Sequence, residues 1–276
     1  MISFRTNGGR LGEVINFLYG VFKFCKINNI PYNNIIVPLN YKNKPFIKNE
    51  KPTFVYKENM EMFQNIKYIF KDVDENYFNS FREIDLHGKT DIAQMKNFYY
   101  YNNLKKDENI IFKDWWSLNG YWRRKDPFFD IELLNYICRP INVVKRLKKQ
   151  YKKIFQKNTI GIHIRRGDYE AIAKKNILKD EFLEISDCIY NNKKLYSEED
   201  IDKIIKTYVL KYNILIFSDN INWCVEKFSM YKNVYFPHGK PYEDMILMSL
   251  CNNVIVNEGS FFSLVSYILS KGYRNV

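Results

Sequence analysis

Gly161-Ile162-His163-Ile164-Arg165-Arg166-Gly167-Asp168-Tyr169 is the stretch on which the reading of this chain turns. With Thr159 and Ile160 ahead of it, it begins as an apolar, β-branched run, the pattern of a short buried strand. Polarity then changes abruptly, to two arginines, a glycine and an aspartate. A strand that delivers charge at its carboxyl end is where an open α/β sheet places its ligand. Neighbouring strand residues point to opposite faces, so only one of Arg165 and Arg166 can reach a given ligand. The fitting ligand is an anion with paired oxygens, because a guanidinium offers a planar donor fork to phosphate or carboxylate. A surface Arg-Arg-Gly-Asp turn closed by a salt bridge leaves the same trace, and this segment alone does not separate the two.

Downstream the strand pattern returns three times. A polar loop over 190–202 leads into a helix over Glu198 to Val209, then a buried strand over Asn213 to Asp219. That strand ends in Ser218-Asp219-Asn220, a helix-capping sequence, before a helix over Ile221 to Phe228. Strand Val234 to Phe236, helix Tyr242 to Cys251, strand Asn253 to Asn257 and helix Ser260 to Leu269 follow. This alternation specifies a parallel sheet covered on both faces.

Upstream, Pro140 suits a first helical position. Behind it Ile141, Val144, Leu147, Tyr151, Ile154 and Phe155 recur at helical spacing among Lys145, Arg146, Lys148, Lys149, Lys152 and Lys153. Such a basic amphipathic helix suits peripheral association with an anionic membrane surface; a solvated outer face is the plainer reading. At the amino end, Met1 to Thr6 reads as a short strand. The glycine loop Asn7 to Glu13 follows, then a helix from Val14 to Cys25 with Ile15, Leu18, Tyr19 and Phe22 on one face. Strand, glycine loop and helix together let backbone amides approach a phosphate or sugar. A strand is expected over Asn33 to Leu39, and a Lys/Asn/Pro-rich loop over Lys42 to Pro52. Asp72-Val73-Asp74 has the spacing of a metal–nucleotide ligand pair, but its neighbours are those of a solvated turn. Trp115, Trp116, Tyr121 and Trp122 cluster, and read as core or as flat faces for sugar rings.

The chain has 276 residues, 46% hydrophobic and 17% aromatic, enough to bury a substantial core. Forty-three Lys+Arg against 31 Asp+Glu give a net charge of +12, which favours anionic partners. The lysines are spread along the chain and no recognition motif accompanies them, so nucleic acid is not an expected partner. Cys25, Cys138, Cys188, Cys224 and Cys251 form no Cys-x-x-Cys pair and no zinc-type cluster with the three histidines. Reduced thiols are expected. Met1 leads directly into Ile2-Ser3-Phe4-Arg5 without a leader pattern, and no apolar run is long enough to span a bilayer, so the expected location is cytoplasmic.

His-x-Arg-Arg-Gly-Asp-Tyr, here His163 to Tyr169, resembles the signature segment of the α-1,2-fucosyltransferases, glycosyltransferase family eleven, related to the α-1,6- and protein O-fucosyltransferases. Other blocks resemble that family in the same order. Gly9, Leu11 and Gly12 match its opening Gly-x-Leu-Gly-Asn-Gln loop, with Glu13 and Val14 in place of Asn-Gln. Gly120 to Phe129 is similar to its Gly-Tyr-aromatic block, with Arg123 and Arg124 replacing Gln-Ser. Phe217 to Cys224 and Asp244 to Cys251 match further blocks. Asn257 to Val265 is a degraded form of the closing one, without its two tryptophans.

The resemblance implies an α/β fold of GT-B type, two Rossmann-like domains with an interdomain cleft. It places an acceptor-side domain at 1–157 and a nucleotide-sugar-binding domain at 158–276, the latter trimmed at its end because the family pattern runs beyond Val276. The implied reaction is inverting transfer of L-fucose from GDP-fucose to a galactose-type hydroxyl of a glycan or glycolipid, with no cofactor and no metal. Arg165 is implied as the diphosphate ligand and catalytic group. Gly9, Arg10, Gly12, His163, Asp168, Asp219, Ser260, Phe262 and Ser263 complete the implied donor site, and Tyr121 and Trp122 stand as acceptor contacts. Asp219 either meets the donor's base or ribose, or caps its helix. Glu13 is either the base for the acceptor hydroxyl or a helix-end charge. The competing readings are a decayed nucleotide- or carbohydrate-binding relic of the fold, favoured by the altered loop and missing tryptophans, and a transferase for another nucleotide sugar.

Overall fold

The computed structural model describes residues 1–4, 11–39, 59–73, 75–84, 105, 107–112, 130–166, 197–256 and 260–273. It divides into two compact units, Met1–Pro140 and Ile141–Val276.

The first unit holds β1 (Ile2–Phe4), α1 (Leu11–Ile27), β2 (Val37–Pro38), β3 (Phe70–Lys71), β4 (Arg82–Ile84), β5 (Ile110–Phe112) and α2 (Ile131–Cys138). β1, β5 and β4 form a parallel sheet in that order, while β2 pairs with β3, and Ile35 bridges Ile2. The strand expected over 33–39 is thus shorter: a 3-10 turn at Tyr32–Asn34 precedes it. On α1, Ile15, Leu18, Tyr19 and Phe22 are fully buried, as their spacing predicts. Val14, Val21, Phe24 and Cys25 are buried as well, so the helix is enclosed on most sides.

The helix begins at Leu11, not near Val14, and Gly12 and Glu13 lie in its first turn. Leu11, 4% exposed, anchors that turn in the core. Burying one leucine contributes about 1.5–3 kcal/mol, which exceeds the roughly 1 kcal/mol cost of a helical glycine. At the other end Lys26 pairs with Asp130 at 2.6 Å, and Asp130 caps α2 by accepting from the Leu133 amide at 3.0 Å.

The second unit runs α3 (Ile141–Gln150), β6 (Thr159–Ile164), α4 (Glu198–Tyr208), β7 (Asn213–Ser218), α5 (Ile221–Phe228), β8 (Val234–Tyr235), α6 (Pro241–Ser249), β9 (Asn253–Ile255) and α7 (Phe261–Tyr273). Among the described residues its four strands are all parallel, in the order β8-β7-β6-β9. Every residue of β6 is buried, because both faces of the sheet are covered. Ile160, Ile162 and Ile164 pack with Ile201 and Ile205 of α4 and Cys224 and Phe228 of α5. The alternate residues face α6 and α7. A Cβ on Gly161 would stand 2.9 Å from Met248 Cγ and 3.3 Å from Cys251 Sγ, so only glycine admits so close an approach of α6. Below it, Asn252 Oδ1 accepts from the Thr159 amide at 2.8 Å and the Asn252 amide donates to Thr159 Oγ1 at 3.2 Å, tying the feet of β6 and β9 together.

Helix α3 packs against α6 of the second unit, burying Val143, Val144 and Leu147, and Arg146 pairs with Glu243. The division by contacts therefore falls ahead of α3, where the sequence reading drew the boundary after it. Cys25, Cys138, Cys224 and Cys251 are free and buried. Burial pushes the thiols of Cys25, Cys138 and Cys251 up to about 12 and that of Cys224 to about 11. No helix among the described residues is long and apolar enough to cross a membrane.

Candidate functional site

The strand order of the second unit reverses at β6. The chain passes from β6 to β7 and β8 on one side, then α6 carries it back across to β9 on the other. In open parallel sheets the crevice at the carboxyl ends of such diverging strands receives the ligand. Arg165 and Arg166 follow directly on the end of β6, and Ser260 and the start of α7 follow β9. The two halves of that crevice are thus a pair of arginines and a helix amino end.

The arginines diverge as strand alternation requires. Arg165 Nη1 lies 3.1 Å from Asp219 Oδ2, and the two side chains are 15% and 17% exposed. Asp219 follows the end of β7, and its other oxygen accepts from the Arg166 amide at 2.9 Å. One carboxylate therefore holds both the guanidinium of the first arginine and the backbone of the second. Arg166 turns to the α5 face, where its guanidinium carbon stands 3.7 Å from the centre of the Trp223 ring. Ser218 Oγ donates to Ile164 O at 2.6 Å and accepts from the Asn220 amide at 3.0 Å, fixing the strand ends relative to each other.

On the opposite face, His163 is 4% exposed and its ring lies 5.0 Å, centre to centre, from that of Phe262. Its Nδ1 is buried without a hydrogen-bond partner. Burial first, and then the nearby Arg165 charge, push its imidazolium down to about 3, against a smaller opposing pull from Asp219. The ring is therefore neutral at any working pH. Ser263 is fully buried and its hydroxyl donates to Ser260 O at 3.2 Å, while the Leu264 amide donates to the same carbonyl at 3.1 Å. At least this part of the Ser263 hydroxyl's capacity serves the first turn of α7.

Four of the expected donor residues, His163, Arg165, Asp219 and Phe262, thus gather around the end of β6, with Ser260 and Ser263 in the same unit. Gly12 and Glu13 lie on α1 of the first unit. Gly9, Arg10, Tyr121, Trp122 and Asp168 fall outside the described residues. The helix-cap alternative for Asp219 is corrected: the cap of α5 is Asn220, whose side chain accepts from the Trp223 amide at 3.4 Å. Asp219 instead meets two donors just beyond the end of β6, the Arg165 guanidinium and the Arg166 amide. Trp223, which carries the Arg166 guanidinium on its ring, was not singled out from the sequence, although its place four residues beyond Asp219, on the first turn of the helix after β7, was the available signal. Among the described residues no three His, Cys, Asp or Glu side chains come together as a metal site.

The family described as Glycosyl transferase family 11 matches residues 29–273. An alpha-1,2-colitosyltransferase of Escherichia coli is 31% identical over 148 residues, 51% of this chain and 47% of that protein. The O-antigen biosynthesis glycosyltransferase WbnK of Escherichia coli is 31% identical over 140 residues, 48% of this chain and 40% of that protein. These alignments span less than half the length of either curated relative. Among solved structures, POFUT1 in complex with GDP-fucose is similar with a TM-score of 0.51 at 13% identity, over 97% of this chain and 93% of that one. POFUT1 in complex with GDP gives 0.50 over the same shares. At that identity the likeness speaks for the fold, α/β of GT-B type, in both units.

Proposed function

The chain belongs to glycosyl transferase family 11, and from that premise we propose that it moves L-fucose from GDP-fucose to a galactose-type hydroxyl of a glycan, with inversion and without a metal ion. The observation that carries the proposal is the Arg165–Asp219 pair at the carboxyl end of β6, beside the point where the strand order reverses. In the reaction the acceptor oxygen bonds to the anomeric carbon from the face opposite the diphosphate. The bond from that carbon to the diphosphate breaks, its electron pair leaves with GDP, and the acceptor proton passes to a base. The main electrostatic demand is charge relief on the departing diphosphate. Arg165 supplies it: its guanidinium is a permanently charged, planar donor fork matched to a diphosphate, and Asp219 holds that fork in place. His163, kept neutral, adds no competing charge beside it.

In this reading the second unit binds the donor and the first unit serves the acceptor, in a reducing, cytoplasmic setting consistent with the free, buried thiols of Cys25, Cys138, Cys224 and Cys251 among the described residues. The name of the colitosyltransferase relative favours a second reading for the sugar, a nucleotide-activated colitose in place of fucose. Calorimetric titration in EDTA with GDP-fucose, GDP-mannose and UDP-galactose tests the proposal. Preferential binding of GDP-fucose, with transfer persisting in EDTA, is expected. Preference for UDP-galactose, or activity lost in EDTA and restored by manganese, would overturn it.

Glu13 remains to be assigned between proton acceptor and helix-end charge. Its place in the first turn of α1 favours the second, since a carboxylate there interacts favourably with the helix amino end. Glu13→Gln is therefore expected to cost about 0.3–1 kcal/mol of stability and to leave kcat near wild type. A fall in kcat of roughly 10²–10⁴-fold at unchanged melting temperature would make it the base instead.

A further inference from the structure

We infer that the amino edge of the second unit's sheet is a docking surface for an anionic lipid bilayer. Because all four strands are parallel, the segments that feed them, residues 151–158, 209–212, 229–233 and 250–252, gather along one edge. Those segments carry Lys152, Lys153, Lys157, Lys211 and Lys232 and not one Asp or Glu. They also carry Leu210, 84% exposed, and Met230, 75% exposed, the two most exposed large apolar residues among the described ones.

The edge is a fixed platform. The Asn213 amide donates to Asn158 O at 2.9 Å and the Ile214 amide to Asn233 O at 2.8 Å. Asn213 Nδ2 donates to Ile154 O at 2.7 Å, Asn233 Nδ2 to Val209 O at 3.1 Å, and Lys157 Nζ to Leu210 O at 3.3 Å. Two acids of the flanking helices have cations of their own: Asp202 pairs with Lys206 at 2.6 Å and Glu198 with Lys227 at 3.3 Å.

The pairing of lysines with protruding aliphatic tips selects the partner. A nucleic acid would meet the lysines but leave Leu210 and Met230 in water. A bilayer takes both, with ammonium groups at anionic headgroups and the two tips at the acyl boundary. Leu210 and Met230 also sit on separate connections, so they form two anchor points held by the hydrogen bonds above. Six residues of β6 then carry Arg165 roughly 20 Å away from the lipid, at the opposite edge. The inference does not depend on which sugar is transferred.

Flotation of the full chain with vesicles of phosphatidylglycerol and phosphatidylcholine, against vesicles of phosphatidylcholine alone, tests it. Binding to the anionic vesicles only is expected, weakening in about 0.5 M salt as the charges are screened. Lys211→Glu with Lys232→Glu is expected to weaken it by at least about 30-fold, at roughly fivefold per lysine. Leu210→Ser with Met230→Ser is expected to weaken it roughly tenfold while leaving retention on heparin unchanged. All four sites are on the surface, and an unchanged melting temperature confirms that the variants fold. Absence of binding to the anionic vesicles overturns the inference. So does undiminished binding by the Leu210/Met230 variant, which would make the edge a general polyanion patch.

Discussion

Arg165→Ala is expected to abolish measurable sugar transfer. Loss of a charged hydrogen-bond donor from a diphosphate site costs roughly 2–5 kcal/mol, equivalent to about 30-fold to several-thousand-fold in rate or affinity. The upper part of that range applies because the side chain is only 15% exposed and held against a carboxylate, where water compensates poorly. Arg165→Lys should restore only part of the loss. A lysine returns the charge but not the planar fork, and its ammonium cannot span Asp219 and a diphosphate in the same way. Steady-state kinetics together with calorimetric GDP binding decide the matter. Wild-type turnover in the alanine variant would remove Arg165 from the reaction and leave its ion pair as a structural feature of the strand ends.

The second large effect is expected from Asp219→Ala, and it should differ in kind. That carboxylate meets Arg165 with one oxygen and the Arg166 amide with the other. Its removal takes a negative partner away from a guanidinium that is only 15% exposed, a change that costs about 3 kcal/mol. A fall in melting temperature is therefore expected, together with a fall in kcat/KM of at least about tenfold because the fork loses its anchor. GDP affinity should change less than kcat/KM, since a bound diphosphate itself supplies negative charge to Arg165. Asp219→Asn should recover the hydrogen bond to the Arg166 amide, and with it part of the stability, but not the charge. A fully stable and fully active alanine variant would contradict the role given to this pair.

What could be seen in the sequence follows how local each feature is. The run Thr159 to Ile164 announced a buried strand because its neighbours on both faces are apolar, and the structure buries all six residues. Helix α5 was placed at its observed bounds because Asn220 caps it and Phe228 ends its apolar pattern. By contrast β4 was invisible. Arg82-Glu83-Ile84 has no apolar run, and it becomes a strand only because β5 lies beside it. The start of α1 was misjudged for a related reason. Gly12 signals a loop to any local rule, and the burial of Leu11 that overrides it is a tertiary fact. Within the site, the arginines were legible as charge at a strand end. Their partner was not: Asp219 follows a different strand, and nothing local distinguishes an aspartate that pairs across the strand ends from one that caps the next helix.

The clamp between Thr159 and Asn252 has a consequence in time as well as in space. Its two residues lie 93 positions apart, whereas β6 meets β7 with far less chain between them. Closing the longer loop forfeits more chain freedom before any contact repays it, so β9 is expected to join the sheet late, after the β6–β7–β8 part has assembled. β9 is also three residues long and, among the described residues, stands at the edge of its sheet with a partner on one side. An edge element of that kind is among the first to part when a folded chain breathes. The crevice assigned to the donor lies on this seam, the last to zip and the first to loosen. A diphosphate reaching from Arg165 to the head of α7 would tie the two sides together, and by mass action would slow the seam's opening in proportion to how fully it is occupied.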